Sequence, residues 1–253
     1  MPLTFAHPAA VLPLARLRLP LSALVVGSVS PDLIYFVRLA PRGDFGHTLP
    51  GLFLSCLPAG LALLWMLDRM LKRPLAELAP ATVQRRLAPV LATSPFDGSL
   101  LTVGATVLIG AVTHVAWDSF THAGEWGVRT FPILRDTMSL GPLGRVPLYK
   151  LAQHGSTLIG LSALAAVAVL WWRNAPEAEL TPRLTARTRA VRILLMASVA
   201  LATGITYAAI EASDAASPLP TFLGRFVVST TSAGLVLATG YSVWVRSRMG
   251  STD

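Results

Sequence analysis

The chain has 253 residues, of which 53% are hydrophobic and only 13% are charged. Soluble domains carry about 25% charged residues, so this composition excludes an ordinary soluble protein and predicts a membrane protein. The 21 basic and 13 acidic residues give a net charge of +8, but the basic residues lie in short segments between apolar runs. Because they form no stripe with aromatic residues, we expect no nucleic-acid partner.

Six apolar runs follow one another along the chain. Residues 21–37 form a short run that Ser30, Pro31 and Asp32 interrupt, which predicts a broken or re-entrant helix. The other five runs have about the 20 residues that a membrane-spanning helix needs. They cover residues 49–67, 100–120, 151–172, 191–210 and 222–245. The predicted fold is therefore all-α, a polytopic transmembrane helical bundle with five spanning helices and one broken N-terminal helix. Residues 1–173 carry the candidate site, and residues 174–253 add two transmembrane helices to the same bundle.

The segments between these runs differ in charge. Residues 68–99 contain five Arg and Lys residues and residues 173–189 contain four, whereas residues 211–221 contain none. Basic connectors face the cytoplasm, so residues 122–150 and 211–221 are expected on the opposite side. The start of the chain lacks the pattern of a secretory signal peptide and is expected to be retained. The single cysteine, Cys56, lies inside an apolar run, which predicts a buried thiol rather than a disulfide.

Four of the five histidines lie where the apolar runs meet that outer side. His47 precedes one run, His114 and His122 lie at the end of the next, and His154 opens the third. Asp118 lies midway between His114 and His122, so the three side chains share one face of a helix. Ionisable groups in a membrane are costly unless they are paired or bind a cation. Imidazole and carboxylate are ligands of zinc, manganese and non-haem iron, so the sequence predicts a metal site at one face of the bilayer.

The spacing of these residues leaves the number of ions open. On an unbroken helix, His114 and His122 are about 12 Å apart along the axis, which is too far for both to bind one ion. Either two ions are bound with Asp118 between them, or the helix ends after Ser119. A hydrogen-bonded histidine–aspartate pair between packed helices is the alternative that needs no metal.

The remaining candidates have structural alternatives of their own. The Ser-Pro-Asp segment that ends at Asp32 is typical of a helix start, so Asp32 is as well explained by capping as by metal binding. His47 and His154 each begin a span and could face lipid headgroups. Nothing around His7 in the sequence alone demands a metal.

Five segments of the first two thirds of the chain carry a family resemblance. They are Met1-Pro-Leu-Thr-Phe-Ala-His7-Pro, Ser30-Pro-Asp32, His47-Thr-Leu-Pro-Gly-Leu-Phe, His114 to His122, and Gln153-His154-Gly-Ser-Thr. They resemble the signature segments of a bacterial membrane family, domain of unknown function 4184. That family is similar to the YdjM-type membrane-bound metal-dependent hydrolases, which have an early His, a Pro-Asp pair, a His before a span and a His-x-x-x-Asp helix. The resemblance implies a metal-dependent hydrolase.

The order of the candidate ligands is also similar to that of zinc-dependent phospholipases C and the related single-strand nucleases. This resemblance implies the ligand set His7, Asp32, His47, His114, Asp118, His122 and His154. It implies that Asp32, His47, His114 and Asp118 hold a first ion, that His7 and Asp118 hold a second, and that His122 and His154 hold a third. Asp32 would also be the catalytic base. Those enzymes use their processed amino-terminal residue as a ligand and carry a glutamate where this chain has Leu158, so one or two ions are expected here.

The sequence thus favours a membrane-bound hydrolase that uses a divalent metal, zinc in the first place, with one or two ions. We expect phosphoester or lipid-linked substrates, membrane lipid as the partner, and a site on the extracytoplasmic side of the bacterial inner membrane. Two alternatives stay open. Intramembrane His and Asp residues also mark the pathways of metal-ion or proton-coupled carriers. A metal could equally serve as a structural clamp between span ends.

Overall fold

A computed structural model describes residues 3–41, 43–141 and 144–249 of the chain. It confirms an all-α polytopic helical fold. Within these described ranges, six helical segments are long and apolar enough to cross a membrane, as an integral membrane protein requires: Leu21–Arg38, Leu49–Ala76, Leu100–Thr130, Leu148–Asn174, Ala186–Ser213 and Pro218–Arg248. Each of the five predicted spans is therefore confirmed, with ends that extend several residues into the polar connectors.

The helices are, in chain order, α1 (Pro8–Val11), α2 (Leu21–Val29), α3 (Leu33–Arg38), α4 (Leu49–Ala76), α5 (Ala81–Leu91), α6 (Leu100–Thr121), α7 (Trp126–Thr130), α8 (Leu148–Asn174), α9 (Ala186–Ser213) and α10 (Pro218–Met249). Short 3₁₀ turns lie at Thr4–Ala6, Leu12–Leu17, Ser30–Asp32, Phe45–His47, Pro95–Asp97 and Pro132–Arg135. Two stretches of α4, Leu52–Cys56 and Met66–Leu71, are π-helical. The first of them begins five residues after His47, and π-helical turns often occur at functional sites.

The predicted break in the N-terminal run is confirmed. The helix α2 ends at Val29, and the 3₁₀ turn Ser30–Asp32 joins it to α3. Pro31 has no backbone N–H to continue the α-helical hydrogen bonds, which explains the position of the break. The connector predicted at residues 122–150 contains more structure than expected. It holds α7 and a hairpin of β1 (Thr137–Ser139) and β2 (Arg145–Pro147), antiparallel with Met138 opposite Val146.

The chain divides into two compact units that interleave along the sequence. The first consists of residues 1–31, 44–62 and 98–174, and the second of residues 32–43, 63–97 and 175–253. The last segment of the first unit ends at Asn174. The two earlier segments of the second unit come from the N-terminal part of the chain. Residues 32–43 contain α3, and residues 63–97 contain the second half of α4 together with α5.

In the first unit, α2 crosses α6 at very close range. A Cβ atom on Gly27 would overlap the backbone of Val107, and one on Gly110 would overlap the backbone of Leu24 and Ser28. Only glycine permits two helices to approach so closely, as is common between helices in membranes. This crossing places the last turns of α2 directly beside the buried face of α6.

The N-terminal segment of the first unit packs against α8. The backbone N–H of Leu3 donates to Thr157 Oγ1 at 3.2 Å, and the backbone of Ala6 lies against Gly160. The short helix α1 then contacts α2, α6 and α8. This packing buries His7, which is only 4% exposed.

In the second unit, α9 and α10 form an extended antiparallel pair, with Gly204 of α9 directly against Thr230 of α10. The helix α3 joins this pair through side-chain hydrogen bonds to its backbone. Arg225 donates to Leu39 O at 2.7 Å, and Ser232 Oγ donates to Phe36 O at 2.7 Å. These bonds satisfy carbonyl groups at the end of α3 that no intrahelical donor reaches.

Candidate metal centre

The last two turns of α6 present His114 and Asp118 on its buried face. His114 is completely buried and Asp118 is 4% exposed. The helix continues to Thr121, two residues beyond the predicted alternative end at Ser119. His122 follows in an extended conformation. Its ring turns back toward the helix, so that Nδ1 lies 3.2 Å from the backbone oxygen of Asp118 and 3.6 Å from Asp118 Oδ1. The axial separation of about 12 Å that an unbroken helix would place between His114 and His122 therefore does not apply, because His122 lies beyond the end of the helix.

Three donor atoms from two separate segments converge beside α6. The distances are 3.4 Å from His47 Nε2 to His114 Nε2, 3.5 Å from His47 Nε2 to Asp118 Oδ2, and 3.3 Å from His114 Nε2 to Asp118 Oδ2. Ligands held at about 2.0–2.1 Å by a tetrahedral zinc ion lie about 3.3–3.4 Å from one another. The three atoms thus already have the mutual spacing of the ligands in a tetrahedral metal site.

The ring of His114 is oriented by the backbone of α2. Its Nδ1 lies 2.7 Å from Ser28 O, and since a carbonyl oxygen only accepts, Nδ1–H is the donor. A neutral imidazole with its proton on Nδ1 presents the lone pair of Nε2, which is the atom facing His47 and Asp118. Metal-binding histidines almost always donate their other ring N–H in this way, so the close α2–α6 crossing gives His114 the orientation that a metal ligand would need.

The second carboxylate oxygen of Asp118 faces different partners. Asp118 Oδ1 lies 3.4 Å from His7 Nε2 and 3.6 Å from His122 Nδ1. Within the part of the chain that the structure describes, His7 Nε2 and Asp118 Oδ1 are buried atoms without a hydrogen-bond partner. Leaving two such atoms unsatisfied is costly, and a cation between them would remove the cost. The two oxygens of Asp118 thus serve two groups of histidines.

His7 is held in its place by stacking. Its ring lies 3.7 Å from the ring of His114, centroid to centroid, with 16° between the planes. Burial, followed by the proximity of His114, lowers the pKa of His7 to about 3. His7 is consequently neutral at pH 7, the form in which histidine binds metals. The group formed by His7, His114 and Asp118 could hold a metal ion, since its donor atoms lie within 4.8 Å of one another.

The buried group next to His122 is a glutamine. Gln153 Nε2 lies 3.3 Å from His122 Nε2, and Gln153 is 1% exposed. His154 is exposed on α8 and does not join the cluster. Neighbouring residues on a helix point about 100° apart, so only one of the pair can face the site. Gln153 belongs to one of the segments that carry the family resemblance. No sequence pattern, however, indicated that Gln153 faces inward and His154 does not.

Comparison with protein families places these residues in a known context. The sequence profile of DUF4184, a domain of unknown function, matches residues 1–243. The chain belongs to this family. The match covers the first two thirds of the chain, which contain the resembling segments, and also the C-terminal helices α9 and α10 up to residue 243. No match was found among curated protein sequences or among solved structures, so the resemblances to YdjM-type hydrolases and to phospholipases C remain expectations.

Asp32 of this DUF4184 chain lies at the start of the second unit and is fully buried. It occupies the N-cap position of α3, but its side chain makes no capping hydrogen bond. On the other side of the unit boundary, the backbone of Pro31 lies directly against Gly46, the residue before His47. The assignment of Asp32 as a ligand or base stays a prediction.

Proposed function

We propose that this DUF4184 protein is a membrane-bound metal-dependent hydrolase whose primary ion, zinc in the first place, is held by His47, His114 and Asp118. One observation carries the proposal: the Nε2 atoms of the two histidines and Asp118 Oδ2 lie 3.3–3.5 Å from one another. A structural His–Asp hydrogen bond needs two partners, whereas three converging donors are typical of a catalytic zinc site. Such a site keeps its fourth position for water or substrate.

A second ion is proposed at the other oxygen of Asp118. His7 Nε2 and Asp118 Oδ1 supply two donors at 3.4 Å, and His122 Nδ1 lies 3.6 Å from the same oxygen. His122 would serve as a third ligand with its ring proton on Nε2 instead of Nδ1. Asp118 would then bridge the two ions, which is the arrangement expected for two-metal cleavage of phosphoesters. Gln153 would orient the ring of His122 when its side-chain oxygen, rather than its NH₂ group, faces Nε2 and accepts the Nε2–H. His154 would have no role in binding.

Bound divalent ions would polarise a substrate oxygen and lower the pKa of a water molecule. The chain's own residues contribute orientation and proton transfer. The carbonyl of Ser28 fixes the tautomer of His114. Asp32 is proposed as the general base that accepts a proton, as the resemblance to zinc-dependent phospholipases C implies for this buried carboxylate.

The site is accessible from one side. The side chains of His114 and His7 are 0% and 2% exposed, whereas those of His47 and His122 are 15% and 24% exposed. Within α8, Gln153 lies near the first turn and Arg173 in the last. Basic helix ends face the cytoplasm, so we place the metal centre at the extracytoplasmic side of the bacterial inner membrane. Phosphoesters at this interface, lipid-linked ones above all, are the proposed substrates.

The test combines metal analysis with hydrolysis by detergent-purified protein. We expect one or two tightly bound ions per chain and chelator-sensitive cleavage of a soluble phosphodiester or of a phospholipid in mixed micelles. Asp118→Asn should lose both properties. Asp136→Asn is the matched control, because it makes the same charge change at an exposed position between the 3₁₀ turn Pro132–Arg135 and β1. Metal-loaded protein that cleaves neither substrate but transports ions in liposomes would replace the hydrolase with the carrier.

A further inference from the structure

The second unit contains a cavity whose lining includes none of the candidate metal ligands. Its volume is about 530 Å³, and its walls come from the end of α4, from α5, from the segment before α9 and from the end of α10. Cavities of about 300–1,000 Å³ accommodate small-molecule ligands. The lining contains the arginines Arg73, Arg183 and Arg246 and a single carboxylate, Glu77, which gives it a net charge of +2.

Three carboxylates of this unit are already engaged by basic residues. Glu77 pairs with Arg183, at 3.3 Å. Asp68 is engaged by Lys72 and Arg69, and Glu177 by Arg85 and Arg86. Arg246 donates to the backbone oxygens of Arg69 and Met70, which are neutral groups. Among the described residues, no ion pair joins Arg73 or Arg246 to a carboxylate. Both bring positive charge to the cavity, so an anion is the complementary ligand.

The rest of the lining is largely apolar and includes Leu91 and Leu180. The walls lie at the ends of candidate membrane spans, where hydrocarbon meets headgroups. The helix α5 has the composition of an interfacial helix, with Val83, Leu87 and Val90 alongside Arg85 and Arg86. A cavity that combines arginines with apolar walls at this depth matches a ligand that is itself part anionic and part apolar.

We infer that this cavity is a binding site for the phosphate-bearing headgroup of an anionic phospholipid of the cytoplasmic leaflet. Arginine guanidinium groups bind phosphate oxygens through paired, charge-assisted hydrogen bonds. Basic pockets between helices on the cytoplasmic side are known to take up anionic headgroups. The apolar walls would contact the glycerol and the first methylene groups, which a free phosphate ion lacks. The site is independent of the proposed hydrolase activity and uses none of its residues.

The experiment measures retention of phosphatidylglycerol by the purified full-length protein, using native mass spectrometry or a binding titration in neutral detergent. Wild type is compared with Arg73→Gln/Arg183→Gln, which removes two cavity charges but leaves the backbone contacts of Arg246 intact. The matched control is Arg187→Gln/Arg248→Gln, which removes two exposed charges of the same unit that do not line the cavity. Circular dichroism and gel filtration verify that both variants fold.

We expect the cavity variant to bind phosphatidylglycerol at least tenfold more weakly than wild type and the control to change by less than twofold. Wild type should prefer phosphatidylglycerol over phosphatidylcholine, and inorganic phosphate at millimolar concentration should not displace the lipid. Equal weakening in both variants would replace the site with diffuse surface attraction and overturn the proposal. Displacement by inorganic phosphate as effective as by lipid would overturn the assignment to a headgroup.

Discussion

Replacing Asp118 with asparagine is the sharpest perturbation of the metal centre, because both carboxylate oxygens face nitrogen donors. Oδ2 lies 3.3 Å from His114 Nε2, and Oδ1 lies 3.4 Å from His7 Nε2. Asparagine has a single oxygen, and its NH₂ group cannot ligate a metal. In either orientation of the amide, the histidines on one side face an NH₂ group instead of an oxygen. The histidines on the other side face a neutral oxygen instead of a carboxylate oxygen.

The size of the effect follows from the role of this side chain. Loss of an outer-shell partner of a metal ligand lowers affinity about 10- to 100-fold. Asp118 touches the donors directly, so Asp118→Asn should weaken zinc binding by more than about 100-fold, or roughly 2.7 kcal/mol. At a free zinc concentration about 100 times the wild-type Kd, wild type gains about 2.7 kcal/mol of stability from the ion, whereas the variant gains less than about 0.5 kcal/mol.

The assay is a competition titration of chelated, purified protein against a chromophoric zinc indicator, with Asp136→Asn in parallel. Asp136 is exposed, so the control should bind zinc as wild type does. An Asp118→Asn variant that binds zinc within threefold of the wild-type affinity would refute the reasoning. The cluster would then be a packing feature in which the carboxylate serves only as a hydrogen-bond acceptor.

Three further predictions use other contacts. Gln153→Leu should weaken metal binding about 10- to 100-fold by removing the partner of the His122 ring, whereas His154→Ala should leave affinity within twofold in the same titration. Gly110→Ala should destabilise the protein by about 1–3 kcal/mol in thermal melts, because the new methyl group meets the backbone of α2, while Gly155→Ala, with open space around it, should not. Chelation of the purified protein should lower its melting temperature and readdition of zinc should restore it; an unchanged melt would exclude a stably bound ion.

Much of the fold could be predicted because each membrane-spanning helix can be recognised from the apolar composition of its own segment. Each span is a long apolar run, and the runs survive intact in the structure with extended ends. The break at Pro31 was equally local, since a residue without an N–H interrupts any helix. The hairpin between Thr137 and Pro147 was missed because strands of three residues leave no periodic pattern.

The candidate site was predictable only as far as one helix determines it. His114 and Asp118 were placed together by a spacing of four residues, and they do share the buried face of α6. His7 reaches them only because the N-terminal segment packs on Thr157 and Gly160, contacts that no local pattern encodes. The choice of Gln153 over His154 depends on how α8 is rotated about its axis, and that rotation is decided by packing between helices.

The unsatisfied atoms of the cluster give the strongest argument that it holds a cation. A polar cluster that only holds helices together should pair every donor with an acceptor, because a buried polar group in a membrane has no water with which to form a hydrogen bond. Here His7 Nε2 and Asp118 Oδ1 lie 3.4 Å apart without forming a hydrogen bond. Burial and His114 oppose the imidazolium form of His7, as its pKa of about 3 indicates. With the single ring proton of neutral His7 on Nδ1, Nε2 presents a lone pair toward Asp118 Oδ1, and a divalent cation would satisfy both atoms at once.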